Sequence, residues 1–161
     1  MLKDAAITVL RVNLIASRYG YQTKDCHTYN ICFDGSTPLF VDLGSFIRIN
    51  EKRNWASYEG FLAYYYYPLW LWRHGNSYFA RKILFSLSLT ESMPYESYLL
   101  YKHPVLRVLN PDYLKKIIYF YFKFRSLFPF KATKSMHLIE LIEKMSCKKD
   151  KTHGVIIIMV T

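Results

Sequence analysis

The sequence predicts a mainly helical α+β domain with one small β-hairpin near residues 29–42. Three observations lead there. Apolar residues recur at helical spacing over 4–18 and again in later segments. Two short apolar runs, 29–33 (YNICF) and 38–43 (PLFVDL), flank Asp34-Gly35-Ser36-Thr37, a turn signal of the kind that joins paired strands. The chain has 161 residues, 52% of them hydrophobic, which suits one domain with a real core.

Taken in order, 4–18 is a helix with Ala5, Val9, Leu10, Val12, Leu14 and Ile15 on its apolar face, and Gly20 stops it. The hairpin follows. Residues 47–54 read as a polar, charged loop. Residues 55–72 read as a helix with a break or kink near Pro68. Short helices are expected over 77–89 and 95–101. Asn110 caps and Pro111 opens a helix running to about 124. The last helix, 134–145, carries Leu138, Leu141 and Ile142 on one side. Residues 1–146 thus form a single, incomplete domain, and 147–161 a basic, then apolar tail. The closing VIIIMVT is β-prone and aggregation-prone, and fits a broken reading frame as well as a native end.

Lys and Arg number 22 against 12 acids, a formal charge of +10. That balance favours nucleotides, nucleic acids, anionic lipid or an acidic partner. The positive charges are spread out and no nucleic-acid-binding signature is present, so no nucleic acid is expected. Cys26, Cys32 and Cys147 show no C-x-x-C spacing, which excludes a zinc knuckle or disulfide framework and points to a reducing, cytoplasmic setting. The most apolar stretch, 61–72, is shorter than the roughly twenty residues a bilayer span needs. No transmembrane segment is expected, and any membrane association is peripheral.

Residues 24–46, KDCHTYNICFDGSTPLFVDLGSF, carry the chemistry. Asp25 is placed to act as a base in a loop. Asn30, at the start of the first strand, offers an amide oxygen. Asp42, at the end of the second, offers a carboxylate, and Gly44 permits the turn after it. A hairpin brings the last two together. Hard oxygen ligands of this type suit magnesium, which takes one or two from protein, and phosphoryl transfer rests on such charge management. The same three side chains also suit plain loop capping and strand-end solvation.

The segment resembles the catalytic region of the protein-kinase-like fold in its aminoglycoside-phosphotransferase form. Asp25-Cys-His-Thr-Tyr-Asn30 matches the Asp-x-x-x-x-Asn loop, and Asp42-Leu-Gly44 the Asp-x-Gly that follows. A closer likeness, on TKDCHTYNICFDG, PLFVDLGSF, WASYEGF and YYPL, is to the kinase-like module ahead of class I S-adenosylmethionine-dependent methyltransferase domains in bacteria, including nodulation-associated methyltransferases. It spans 21–69 and, more weakly, reaches about 88. The position two before the loop Asp, commonly His in the fold, is Thr23.

The resemblance implies a C-lobe fragment with Asp25 catalytic, Asn30 and Asp42 as metal ligands, and Mg2+ and ATP as cofactors. The glycine-rich lobe belonging ahead of Asp25 has no counterpart here, and no S-adenosylmethionine site is read in this chain, whose six glycines form no cofactor loop. The partner expected is therefore the missing N-lobe or methyltransferase domain, in trans. The function expected is an accessory module without autonomous catalysis. Its alternatives are an Mg-ATP-dependent small-molecule phosphotransferase and a basic membrane-surface or interaction protein.

Overall fold

The computed structural model describes residues 1–50, 55–85, 92–125 and 135–145. Helix α1 spans Leu2–Arg18 and buries Ala5, Ala6, Val9, Leu10 and Asn13. It ends where Gly20 takes φ +78°, a left-handed conformation that a Cβ disfavours. Strand β1 (Tyr21–Thr23) leads out of it. The hairpin strands are β2 (Ile31–Asp34) and β3 (Thr37–Phe40), and β4 (Phe46–Arg48) follows them. The hairpin turns on Gly35-Ser36. Gly35 has φ +58° while Ser36 has no positive φ, the type II′ pattern that matches strand twist.

The mainly helical α+β class is thus observed, with corrections in detail. β1 and β4 pair antiparallel, Thr23 opposite Phe46, so the described residues hold two two-stranded ladders where one hairpin was expected. Residues 46–48 are strand, although 47 and 48 read as loop. A three-residue strand is too short to show alternation, and β1 turns the polar Gln22 and Thr23 inward. The hairpin strands are also shorter than expected, since Thr28–Asn30 forms a 3₁₀ turn and Leu43–Ser45 another.

Helix α2 (Tyr58–Phe61), a π turn (Leu62–Tyr66) and helix α3 (Tyr67–Arg73) form one continuous rod. The sequence predicted a break or kink near Pro68. The regular α pattern is interrupted just ahead of it, where the Tyr67 N–H reaches back five residues to the Leu62 carbonyl. Pro68 has no N–H to donate and its ring crowds the carbonyl four residues back, so the wide turn just ahead of it accommodates the ring. The rod is the centre of the core, burying Phe61, Leu62, Tyr65, Tyr67, Leu69 and Leu71.

Helices α4 (Ser77–Phe85) and α5 (Ser92–Lys102) pack on α3. α5 starts earlier than the expected 95. Residues 86–89 of the helix expected over 77–89 lie outside the described residues, as does the tail 147–161. Helix α6 (Pro111–Arg125) opens as its sequence dictates, the Asn110 side-chain oxygen accepting from the Asp112 N–H at 2.9 Å. Helix α7 (Ser135–Glu143) lies along α1. Its terminal carbonyls meet cations from distant segments: Lys3 Nζ donates to Glu143 and Met145 at 2.9 and 3.0 Å, and Arg73 donates to Lys144 at 3.1 Å.

One buried polar knot fixes these parts together. The Thr23 N–H and hydroxyl donate to Asn13 Oδ1 at 3.1 and 3.3 Å. The Thr23 carbonyl accepts from Trp55 Nε1 at 3.0 Å and from the Ser57 hydroxyl at 2.9 Å. All four residues are buried. Asn13→Leu keeps the bulk but strips the acceptor from two buried donors, each worth about 1–3 kcal/mol when left unmet. Urea unfolding of that variant should show a loss in this range or beyond, while Thr23→Ser stays closer to the parent.

Candidate functional site

The loop between β1 and β2 is built outward from the knot. The Lys24 N–H donates to the Ser45 carbonyl at 2.7 Å, which holds the loop's first residue beside the segment after the hairpin. Asp25 then faces solvent and its Oδ1 accepts from the His27 N–H at 2.9 Å, a side-chain-to-backbone turn. Cys26 points the other way, fully buried, with Sγ 3.4 Å from the Ser57 carbonyl. The His27 Nδ1 accepts from the Tyr29 N–H at 3.3 Å. Its ring lies 4.4 Å from that of Tyr29 and 4.5 Å from that of Tyr64, centre to centre.

The 3₁₀ turn Thr28–Asn30 delivers Asn30 to the hairpin base, where the Val41 N–H donates to the Asn30 carbonyl at 2.9 Å. Asp42 caps the second 3₁₀ turn: its Oδ1 accepts from the Gly44 N–H at 2.9 Å and its Oδ2 from the Ser45 hydroxyl. Asn30 Nδ2 in turn donates to the Ser45 Oγ at 3.4 Å. Asn30, Ser45 and Asp42 therefore form one hydrogen-bonded chain. Gly44 has a steric reason, since a Cβ there would stand 3.2 Å from Asp42 Oδ1.

The structure thus brings Asn30 and Asp42 together. Asp25 reaches their neighbourhood through the backbone pairing of Lys24 with Ser45, while its carboxylate is tied to its own loop. Asn30 turns its amide nitrogen to Ser45, whose hydroxyl in turn donates to the Asp42 carboxylate, so the amide oxygen is not the atom spent on this chain. Among the described residues no three His, Cys, Asp or Glu side chains cluster as a metal cage. Two oxygen donors fit a Mg2+ that brings waters and substrate phosphates with it, and do not make a dedicated all-protein site.

Beneath the loop lies a group that sequence reasoning missed. Tyr65 is fully buried and its hydroxyl has no hydrogen-bond partner among the described residues. Burial pushes its pKa well above 10.0, with Cys26 and Asp25 adding to the effect. Burial likewise pushes Tyr66 up to about 12. Ser45 was missed too, although a serine three residues after a capping Asp is a legible signal. Asn13 was the other visible clue, a polar residue on the apolar face of α1.

No family model, no curated protein and no solved structure matches the chain.

Two expectations follow from this geometry. Ser45→Ala removes the hydroxyl shared by Asn30 and Asp42; a hydrogen bond to a charged group is worth about 1.5–3 kcal/mol, and denaturant unfolding should register the lower end because Asp42 is only half-buried. The raised pKa values of Tyr65 and Tyr66 make stability pH-dependent at the alkaline end. Both phenols are neutral in either state below pH 10, so their contribution is complete there. Above it the unfolded chain ionises first, and stability falls as pH rises from 10.0 through about 12. Tyrosinate absorbance and unfolding midpoints should track each other over this window, and Tyr66→Phe should flatten the fall.

Proposed function

We propose that the chain is a kinase-like C-lobe module serving as a binding accessory in an S-adenosylmethionine-dependent methyltransferase-type system, with Asn30 and Asp42 in the metal positions and Asp25 in that of the catalytic carboxylate. The observation that carries this reading is the Asn30–Ser45–Asp42 chain at the hairpin base. It sets an amide and a carboxylate side by side just after a loop carboxylate, the order the resemblance calls for. Bound Mg2+ would supply charge neutralisation for phosphates there. The grip on the rest of a nucleotide would come from a partner lobe, in a cytoplasmic setting.

Mn2+ in place of Mg2+, added with ATP, tests the metal assignment by paramagnetic broadening. Amide signals of Asn30, Asp42 and Gly44 should broaden first, and Asp42→Ala and Asn30→Ala should each remove the effect. Broadening elsewhere, or broadening indifferent to both substitutions, rules the assignment out. ATP turnover by the chain alone that disappears in Asp25→Asn would replace the accessory reading with the phosphotransferase one.

A further inference from the structure

A serine hydroxyl has one proton to give and lone pairs to receive with, and its neighbours decide how each is used. An ionised carboxylate only accepts. Ser45 Oγ lies against Asp42 Oδ2, so the hydroxyl proton is committed there. Towards Asn30 the same oxygen then has only a lone pair to offer. The Asn30 side chain answers with its nitrogen, Nδ2 donating to Ser45 Oγ at 3.4 Å. The polarity of the chain is set at its charged end and passed through one hydroxyl to an amide.

The backbone around the site is held without that hydroxyl. The Ser45 carbonyl accepts from the Lys24 N–H at 2.7 Å, and the Ser45 N–H donates to the Asp42 carbonyl at 3.4 Å. The Asn30 carbonyl accepts from the Val41 N–H and the Asn30 N–H donates to the His27 carbonyl, both at 2.9 Å. Asp42 Oδ1 keeps the Gly44 N–H at 2.9 Å. What the hydroxyl decides is which end of the Asn30 amide faces Ser45. An asparagine amide has an acceptor at one end and two donors at the other, and turning it over exchanges them. Only the oxygen end suits a hard cation. Ser45 is fully buried, so bulk water does not stand in for its hydroxyl.

We infer that Ser45 is a positioning residue for the candidate metal site: its hydroxyl, oriented by Asp42, holds the Asn30 nitrogen and so leaves the Asn30 oxygen for a divalent cation. This role rests on the metal positions proposed for Asn30 and Asp42, and supplies the reason an amide can serve in one of them. Groups that orient a metal ligand typically cost about 10–100-fold in metal affinity when removed.

Two measurements on the full chain test it. Without metal, the Asn30 side-chain N–H protons should exchange with solvent more slowly in the parent than in Ser45→Ala by NMR, with the Lys24 and Val41 backbone amides equally protected in both. With Mn2+, followed by paramagnetic broadening, Ser45→Ala should bind about tenfold more weakly. Asn30→Asp offers oxygen whichever way its side chain turns, so in that background Ser45→Ala should cost clearly less. A general loosening of the loop would cost the same in both backgrounds. Equal costs in the two backgrounds, unchanged Mn2+ affinity in Ser45→Ala, or Asn30 side-chain exchange indifferent to Ser45→Ala overturns the assignment. A parent chain that binds no Mn2+ removes the metal positions and this role together. That failure is distinct from failure of the amide lock alone, in which Mn2+ binds and both backgrounds lose equally.

Discussion

Thr23 is the constraint on which the rest depends. Its carbonyl, amide and hydroxyl are all engaged, and the partners come from two separate stretches: Asn13 from α1, Trp55 and Ser57 from the entry to α2. In a low-dielectric interior a fully satisfied polar group specifies one arrangement, because any slip leaves a donor or acceptor stranded. The knot therefore sets where α1 ends, where the rod begins and where the loop bearing Asp25 sets out. Backbone pairing of Thr23 with Phe46, and of Lys24 with Ser45, then carries that placement across to Asp42's turn.

Much of the fold was legible because it is written in local chemistry. Gly20 and Gly35 mark the positive-φ turns, and Asn110-Pro111 opens α6 as capping physics requires. The amphipathic spacing in α1 is real, though Ile15 of its expected apolar face is left exposed. What was not legible is long-range. The β1–β4 ladder joins segments more than twenty residues apart with three residues each, too few for a period. The clasp of Lys3 and Arg73 on the end of α7 links positions about 70 and 140 residues apart, which no window on the sequence contains.

The candidate site was half legible. Asp25, Asn30 and Asp42 stand out by residue type and spacing, and the hairpin that joins the last two announces itself in DGST. The intermediary, Ser45, is signalled only by its place three residues after Asp42, and its role becomes plain once the two 3₁₀ turns set its hydroxyl between an amide and a carboxylate. The place where the sequence departs from the pattern it resembles, Thr23 for His, is where the structure puts a residue whose amide, hydroxyl and carbonyl are all hydrogen-bonded. The loop is anchored here through a threonine, with Trp55 and Ser57 reaching up to it.

The wide turn at Leu62–Tyr66 has a bearing on how the rod tolerates change. A π turn behaves as one surplus residue accommodated within an otherwise regular helix. Residues on either side of it keep ordinary helical geometry, but the faces they present are offset from each other. Tyr65, inside the wide turn, and Tyr67, just after it, are both buried. Shortening the tyrosine run by one would restore an uninterrupted helix, and would swing everything from Pro68 onward around the axis, away from the surfaces that α4 and α5 were shaped to meet.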